Sequence, residues 1–187
     1  MGFTRAELAG FDGAEVPDLV GPDCRLLFVG INPGLWTAAV GAHFARPGNR
    51  FYPALYQAGI TDRLIDASTG MREEDRDLLI ARGVGITNVV SRASATAAEL
   101  SADELRAGGV RLRERVREVA PKVVAVAGIT AYRKAFGLPK AVTGPQDERW
   151  DGAQVWVVPN PSGLNAHETV GSLAESYAAA AHAAGVV

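Results

Sequence analysis

Residues 25–34 read RLLFVGINPG, an apolar run that stops at a polar side chain. Residues 26–29 are bulky and apolar throughout, which is typical of a strand buried on both faces of a sheet. The strand cannot continue past this point because Pro33 has no N–H for a sheet hydrogen bond. Open α/β sheets bind ligands beyond the carboxyl ends of their strands. We therefore predict that Asn32 lies at the floor of an active site; the alternative is an asparagine that caps its own turn.

The length and charge of the chain limit the classes to which it can belong. With 187 residues, 48% of them hydrophobic and 21% charged, it is long enough for one globular domain with a sizeable core. The formal net charge of -2 argues against a protein held on nucleic acid by bulk charge, although it leaves room for a compact basic patch. We expect one domain over residues 1–187, acting as a monomer.

Cysteine content and hydropathy bear on the compartment. Cys24 is the only cysteine in the sequence, which excludes an internal disulfide and an all-cysteine zinc or iron–sulfur site. No apolar run approaches the length that spans a bilayer, and residues 1–7 lack the basic and apolar regions of a secretory signal. We therefore expect a cytoplasmic protein without a membrane partner.

Strands alternate with helices along the chain, after an irregular lead-in over residues 1–23. Four apolar runs predict strands, at residues 26–29, 84–90, 122–127 and 154–158. Helices are predicted between and after them, at residues 49–58, 72–82, 101–120, 130–136 and 168–184. The longest helix begins at a capping box formed by Ser101 and Glu104. This alternation predicts an α/β fold with parallel strands, right-handed crossovers and helices on both faces of the sheet.

The fourth strand ends like the first. Residues 154–158 lead into the sequence PNPSGL at residues 159–164, where proline and glycine again stop the strand. If the sheet order is 2-1-3-4, the loops after the first and fourth strands open on the same rim beside a topological switch point. We therefore expect the two loops to lie on one edge of the sheet.

Two motifs together resemble a known family. The sequences GINPG at residues 30–34 and NPSGL at residues 160–164 resemble the mismatch-specific uracil/thymine DNA glycosylases of the uracil-DNA glycosylase superfamily. Residues 44–51, FARPGNRF, look like the stretch after the family's first motif, and residues 85–90, GITNVV, look like its second-strand segment. The resemblance runs from about Leu26 to the last helix, and the two motifs are specific at this spacing.

The resemblance implies an enzyme that hydrolyses the bond between a damaged or mismatched base and its deoxyribose, leaving an abasic site. It implies a single three-layer α/β/α domain with a four-stranded parallel sheet, for which we expect the order 2-1-3-4. The implied partner is double-stranded DNA, whose target nucleotide must be flipped out because its sugar carbon is unreachable in the duplex. Neither a metal nor a cofactor is expected.

Asn32 matches the family's catalytic position. An amide cannot take a proton from water at neutral pH, so Asn32 would hold a water through its carbonyl oxygen and would not act as a general base. Positioning, and backbone N–H groups that stabilise the departing base, would supply the rest of the rate. We therefore expect a slow enzyme compared with relatives that use an aspartate. No carboxylate pair is apparent near the motifs, which suits an anionic base as a leaving group that needs no full protonation.

The resemblance assigns the base pocket to Ile31, Thr37, Phe44 and Asn88. Phe44 matches the position that stacks on the flipped base, which is worth roughly 1–3 kcal/mol; the alternative is a core phenylalanine under a loop. Asn88 matches a position near the base edge, and its alternative is a strand-end asparagine. Thr37 would influence whether the methyl group of thymine is admitted. His43 invites a catalytic interpretation because it is next to Phe44; the alternative, which is more frequent for a lone histidine of a loop, is a surface residue.

Gly163 and Leu164 match the wedge that enters the space left by the flipped base; the alternative is a leucine folded onto the core. Some family members carry a basic residue shortly after this leucine, whereas residues 165–167 here are Asn-Ala-His, a difference that bears on the preference for guanine opposite the base. Contacts with the DNA backbone, which position without specifying sequence, have four candidates: Arg46, Arg50, Ser162 and Asn165. For the two arginines the alternative is a surface residue without a role.

Two other classes of function stay open at this point. A damage-binding protein could flip and hold a base or an abasic site with little cleavage, and Asn32 suits weak binding as well as slow catalysis. A nucleotide-binding protein could cradle phosphate in the GINPG loop. That loop, however, lacks the Lys-Ser/Thr of a P-loop and the three spaced glycines of a dinucleotide-binding fold.

Overall fold

The computed structural model describes residues 2–187, which form one sheet with helices on both sides. The strands are β1 (Leu26–Gly30), β2 (Val84–Asn88), β3 (Val123–Ala127), β4 (Gly144–Trp150) and β5 (Ala153–Val158). The helices in this range are α1 (Arg5–Ala9), α2 (Leu35–Val40), α3 (Phe51–Gln57), α4 (Glu73–Ala81), α5 (Ala102–Val119), α6 (Ile129–Phe136) and α7 (Val170–Ala184). None of these helices combines the length and the hydropathy that crossing a bilayer requires.

The sheet has the strand order β2-β1-β3-β5-β4. β1 pairs in parallel with β2 and β3, and β3 pairs in parallel with β5. These are the four apolar strands predicted from the sequence, and they stand in the predicted order. Their carboxyl ends therefore meet at one edge of the sheet, where the loops after β1 and β5 begin.

The prediction of a four-stranded, fully parallel sheet is wrong, because β4 adds an antiparallel edge strand beside β5. Its sequence, GPQDERW, contains no apolar run. Its positions alternate between half-buried and exposed up to the buried Trp150. Asp151 and Gly152 form the two-residue turn between the strands, with φ values of 48° and 91°. Asp-Gly is a strong sequence signal for such a hairpin, so the turn marked a strand that the polar composition concealed.

The core lies in two layers, one on each face of the sheet. Every residue of β1, β2 and β3 is buried, as expected for strands covered on both faces. Phe28 packs edge-on against Phe51 of α3 and tilted against Tyr177 of α7, with ring centroids 5.1 and 5.2 Å apart. Val29 points the other way, into the core that β3 and β5 share with α5 and α6. The three-layer α/β/α arrangement follows from this alternation.

The capping box predicted for the longest helix is confirmed. Ser101 Oγ accepts a hydrogen bond from the Glu104 N–H (3.1 Å), and the Ser101 N–H donates to the Glu104 carboxylate (2.9 Å). These bonds satisfy backbone groups that the first turn of a helix leaves unpaired. They also hold the Glu104 carboxylate at the start of α5, where it binds Arg92.

The lead-in ahead of β1 covers the outer edge of β2. Leu19 and Ile86 exchange two backbone hydrogen bonds of 3.0 and 2.7 Å, and Glu15 forms a bridge with Arg92 in the same antiparallel sense. An open strand edge is a template for unwanted pairing, and this contact closes it. It also brings Pro17 beneath the loop that follows α2.

Candidate active site

A cavity of about 170 Å³ opens at the carboxyl edge of the sheet. Its size suits one small ring and lies below the roughly 300–1,000 Å³ of pockets for drug-sized ligands. The polar and aromatic side chains that line it are Asn32, Thr37, His43, Phe44, Arg46, Asn49, Asn88, Ser94, Thr96, Asn160 and Ser162. Ile31 lines it as well. The fold thus brings together all five residues that the sequence assigns to the catalytic position and the base pocket.

Asn32 lies in this cavity with its amide held in one orientation. Its Nδ2 donates to the carbonyl oxygen of Arg92 (3.0 Å) and to Ser94 Oγ (2.8 Å), rather than to its own turn, which excludes a self-capping asparagine. Because a carbonyl oxygen can only accept, the amide nitrogen must face Arg92. Within residues 2–187 no group donates a hydrogen bond to Asn32 Oδ1. The oxygen is therefore available to a water in the cavity.

Sequence patterns do not single out the segment after β2 that holds Asn32. The buried Ser94 donates its N–H to the Pro33 carbonyl oxygen (3.1 Å), which ties this segment to the GINPG loop. Arg92 is fixed by Glu104, with N···O distances of 2.5 and 3.1 Å. The hydrogen bond from Arg92 lowers the pKa of Glu104 to about 2, so the pair is ionised at neutral pH. The one signal in the sequence for Arg92 and Ser94 is that they follow the parallel strand β2. Residues that follow parallel strands lie at the same edge of the sheet as the GINPG loop.

Phe44 forms one wall of the cavity. One side of its ring stacks on Phe51, with centroids 4.1 Å apart and planes inclined by 25°. The ring also comes close to the end of β1, because a Cβ at Gly30 would lie 3.3 Å from Phe44 Cζ. Phe44 is half-buried, packs against the core and lines the cavity, so both interpretations from the sequence describe part of its position.

The backbone of Phe44 is strained. Its φ of 54° lies in the left-handed region, which is an outlier for a bulky residue. Such a conformation persists only where the surroundings hold it, and it is found disproportionately at functional sites. Here the Tyr52 hydroxyl donates to the carbonyl oxygen of His43, the residue before Phe44, at 2.7 Å. This hydrogen bond and the Phe51 stack fix the Phe44 ring.

The interpretation of His43 as a surface residue is wrong, because its side chain is 4% exposed. Its Nε2 lies 2.9 Å from the Pro17 carbonyl oxygen, and its Nδ1 lies 3.3 Å from Asn88 Nδ2. Burial lowers the pKa of His43, opposed by the hydrogen bond with Pro17 and by the charge of Asp18. The ring is therefore neutral at pH 7 and belongs to the cavity.

Asn88 ends β2 and is paired in register with Gly30 at the end of β1. A Cβ at Gly30 would lie 2.6 Å from Asn88 Oδ1, so glycine is required at this point of close approach. Ile31 packs toward the start of α6, where it would lie 3.3 Å from a Cβ at Gly128. Thr37, in the first turn of α2, is 5% exposed and lines the cavity as well.

The wedge loop, residues 160–165, stands beside the mouth of this cavity. Leu164 is 79% exposed, so the alternative of a leucine folded onto the core is wrong. Gly163 rests on the loop that carries Arg46, because a Cβ at Gly163 would lie 2.6 Å from the Gly48 carbonyl oxygen. Gly163 therefore packs closely on the neighbouring loop, and Leu164, the next residue, extends into solvent.

Hydrogen bonds within the wedge loop determine its shape. Asn160 Oδ1 accepts from the Ser162 N–H (2.9 Å), and Ser162 Oγ accepts from the Leu164 N–H (3.2 Å). Asn165 Nδ2 donates to the Asn160 carbonyl oxygen (3.1 Å). Ser162 and Asn165 thus hold the loop, and their contact with the DNA backbone stays a prediction.

The two arginines assigned to the DNA backbone differ. Arg50 Nη1 donates to the carbonyl oxygens of Asn165 (2.9 Å) and Glu168 (2.8 Å). The backbone N–H of Arg50 donates to the Pro161 carbonyl oxygen (2.9 Å). The Arg50 guanidinium therefore anchors the wedge loop. Arg46 is exposed at the cavity rim, and within residues 2–187 its guanidinium has no hydrogen-bond or ion-pair partner. Arg46 is the freer of the two for a phosphate.

The cavity contains no carboxylate. No aspartate or glutamate is among its lining residues, and in the described part of the chain no three His, Cys, Asp or Glu side chains cluster as a metal site would require. The groups available for chemistry are amides, hydroxyls, a neutral imidazole and one guanidinium. Such a set can position a water and a planar ring, and it can accept and donate hydrogen bonds.

Comparison with known proteins agrees with this fold. A solution NMR structure of a Methanosarcina acetivorans protein, provisionally named a uracil DNA glycosylase, superposes with a TM-score of 0.61 at 17% identity, over 90% of this chain and 96% of that one. At this identity the likeness shows the fold alone. The sequence profile described as the Uracil DNA glycosylase superfamily matches residues 17–182, which is most of the chain. The chain therefore belongs to the uracil DNA glycosylase superfamily.

Proposed function

We propose that the protein is a monofunctional DNA glycosylase that flips uracil out of mismatched double-stranded DNA and hydrolyses its N-glycosidic bond, which starts base excision repair. Members of its superfamily are hydrolytic DNA glycosylases. The observation that carries the proposal is the fixed Asn32 amide, whose free oxygen faces a cavity sized for one ring. The finer assignment, to the mismatch-specific group with thymine and other damaged bases as further substrates, rests on the GINPG and NPSGL loops.

Asn32 supplies the position of the nucleophile. With both N–H groups of the amide engaged, its Oδ1 is the atom offered to the cavity, and a water bound there donates one hydrogen bond to it. The amide cannot remove a proton from that water, so attack follows departure of the base from a sugar with oxocarbenium character. The water is then already within reach of the sugar carbon, and its proton leaves to solvent.

The absence of carboxylates from the cavity is compatible with uracil as the leaving group. Sugar hydrolases usually use two carboxylates, one of them to protonate the leaving oxygen. Uracil departs as an anion stabilised over its ring, so it needs hydrogen-bond donors and no full protonation. A cavity without aspartate or glutamate therefore supports the excision of acidic bases and a slow rate.

The exposed Leu164 and the Phe44 wall account for flipping. Leu164 stands on the same edge of the sheet as the cavity, where it can enter the stack that the flipped nucleotide leaves. Phe44, backed by Phe51, presents an aromatic surface on which the flipped base stacks. Both parts come from one chain, so a monomer is sufficient.

Few charges are available for the duplex backbone. The net charge is -2, and Arg46 is the unpaired cation at the cavity rim within residues 2–187. For duplex DNA, each neutralised phosphate steepens the fall of the logarithm of the binding constant with the logarithm of the salt concentration by roughly 0.9. Because few phosphates can be contacted, we expect the affinity to depend weakly on salt. Recognition then depends on the flipped base and the wedge more than on bulk charge.

The test is incubation with a duplex that carries one G·U pair, at an excess of protein over DNA, followed by alkali to break the strand at abasic sites. We expect cleavage at the uracil by the wild type, unchanged by EDTA, and almost none by Asn32→Ala. Tight binding of the G·U or abasic duplex without cleavage by the wild type would instead support a damage- or abasic-site-binding protein. The carboxylate-free cavity is the observation that keeps this second function in consideration.

A further inference from the structure

Asn88 presents an unused hydrogen-bond acceptor to the cavity. The residue is 8% exposed, and its Nδ2 is engaged with His43. No group within residues 2–187 donates to Asn88 Oδ1, yet this oxygen is not among their buried unpaired polar atoms, which belong to Thr61, Trp150 and Trp156. It therefore opens onto the cavity that Asn88 lines.

Asn88 Oδ1 lies next to Phe44, the wall of the cavity on which the base stacks. A Cβ at Gly30 would lie 2.6 Å from Asn88 Oδ1 and 3.3 Å from Phe44 Cζ, so the two atoms converge on one point above the end of β1. A planar ring stacked on Phe44 would bring one of its edges to this oxygen. The group on that edge then decides whether a hydrogen bond forms.

His43 determines which end of the Asn88 amide faces the cavity. The Pro17 carbonyl oxygen, 2.9 Å from His43 Nε2, can only accept, so Nε2 must carry the proton of the neutral ring. His43 Nδ1 is then a lone pair, and it accepts from Asn88 Nδ2 at 3.3 Å. With its nitrogen directed to His43, the amide turns its oxygen to the cavity.

We propose that His43 is the positioning residue that selects the base, because it fixes the Asn88 amide with its oxygen toward the cavity. This inference rests on the proposed function and names its substrate class. The pocket accepts bases that present a ring N–H on the facing edge, as uracil, thymine and hypoxanthine do. It rejects cytosine, whose ring nitrogen at the corresponding position presents a lone pair.

The discrimination is strong because the amide cannot turn over freely. Reversing it would place Asn88 Oδ1 against the His43 Nδ1 lone pair and lose the hydrogen bond between them. With the amide as it stands, cytosine would leave two acceptors facing each other in a buried site. A site built to hydrogen-bond one group rejects an analogue that leaves its buried polar atom unpaired.

The lead-in holds the imidazole in place from below. Asp18, next to Pro17, accepts from the Thr87 hydroxyl (2.8 Å) and pairs with Arg115 of α5 (2.9 Å). The titratable and charged groups that face His43 are therefore Asp18 of the lead-in and Tyr52 of α3, with Arg115 behind Asp18. Through Pro17, a segment far from the GINPG loop sets the tautomer of His43.

The first test is spectroscopic and needs no substrate. The chain has three histidines, so ¹⁵N NMR of labelled protein resolves each imidazole, and the His43 signals are assigned by their loss in His43→Gln. At pH 7.5 we expect a protonated Nε2 and an unprotonated Nδ1. A proton on Nδ1 would reverse the Asn88 amide and overturn the inference, whatever the protein does to DNA.

The second test measures base preference by binding, so that slow chemistry does not enter. Duplexes carry 2′-fluorodeoxyuridine or 2′-fluorodeoxycytidine opposite a tetrahydrofuran abasic analogue, which leaves both bases unpaired and resists cleavage. We expect the wild type to prefer the uracil duplex by about tenfold or more, and His43→Phe to lose about tenfold of that preference. His43→Gln, whose amide can accept from Asn88 and donate to Pro17, should restore part of it.

Matched variants separate positioning from packing. His182→Phe makes the same replacement at an exposed histidine of α7 that does not line the cavity, so its uracil preference should equal that of the wild type. Asn88→Ala should abolish the preference, and adding His43→Phe to it should change nothing further. An unchanged preference in His43→Phe, or a further loss in the double variant, would contradict the inference alone. Failure of the wild type to bind either duplex would contradict the proposed function as well.

Discussion

Two loops of this protein contain the same Asn-Pro dipeptide and use the asparagine in opposite ways. Asn32 and Asn160 both follow parallel strands, the buried β1 and the mostly buried β5, on the same edge of the sheet. The amide of Asn32 donates to another segment and leaves its oxygen free. The amide oxygen of Asn160 accepts from the Ser162 N–H of its own loop, at 2.9 Å.

The hydrogen-bond partners of each asparagine decide its role. Ser94 and the Arg92 carbonyl oxygen offer acceptors to Asn32, so its nitrogen is engaged and its oxygen is exposed to the cavity. Ser162 offers an N–H, so the oxygen of Asn160 is engaged and serves a turn. The first loop presents chemistry from a fixed, partly buried frame, and the second shapes a loop that carries Leu164 into solvent.

The largest expected effect comes from replacing the first of these asparagines. Asn32→Ala removes the atom that holds the water, so single-turnover cleavage of a G·U duplex should fall by about 10²–10³, with binding nearly unchanged. Asn160→Ala is the matched control, and it should weaken binding of the duplex more than the chemical step. Equal losses of cleavage in the two variants would remove the distinction between the loops.

The next effect tests the exposed end of the second loop. Leu164→Ala should slow single-turnover cleavage of an A·U duplex by about tenfold to a hundredfold, because unstacking costs roughly a few kcal/mol that the wedge offsets. A G·U mismatch is already weakly paired and should suffer less. The variant should also release abasic DNA faster, since nothing fills the emptied stack. Equal loss on both duplexes, with unchanged release, would leave Leu164 without a wedge role.

A smaller effect separates the two loops through their serines. Ser94→Ala removes one of the two acceptors of the Asn32 amide, which should reduce single-turnover cleavage by about two- to tenfold. Ser162→Ala removes the acceptor of the Leu164 N–H and should alter binding and product release instead. Cleavage rates corrected for the folded fraction provide the measurement. A Ser94→Ala protein that melts earlier but cleaves at the wild-type rate would contradict the positioning of Asn32 by Ser94.

The central strands and both loops could be predicted because their signals are local. Residues 26–29 are apolar on both faces, which matches a buried parallel strand, and Pro33 and Pro159 prevent the two strands from continuing. β4 was missed because an edge strand is half solvated and reads as polar, although Asp151-Gly152 marked its hairpin.

The support of the site could not be read from the sequence. His43 is buried because the Pro17 carbonyl oxygen and Asn88 reach it from segments distant in the chain, and no local pattern encodes such a contact. Ser94 binds Asn32 for the same reason. Arg50 resembles a free surface cation in sequence, yet it donates to carbonyl oxygens of a loop more than a hundred residues away. Tertiary contacts therefore decided which polar residues support the site and which remain free.

The pH dependence of stability should change least, and one histidine near each loop provides the comparison. Burial lowers the pKa of His43 in the folded protein below its ordinary value of 6.5, so the unfolded chain binds this proton more readily. The free energy of unfolding should therefore be highest above pH 6.5 and should fall as the pH drops through that value. The ion pair of Glu104, whose pKa is lowered to about 2, persists throughout this window and does not obscure the change.

His43→Gln should flatten this decline, because the residue that takes up the proton on unfolding is gone. His167→Gln is the matched control: His167 is exposed just after the wedge loop, so its replacement should leave the decline as in the wild type. Urea unfolding at pH 7.5 and about 5.0 measures both variants against the wild type. If the His43→Gln and wild-type curves decline in parallel, the imidazole is not buried as a neutral ring. In that case the hydrogen-bonded path from Pro17 through His43 to Asn88 does not exist in solution.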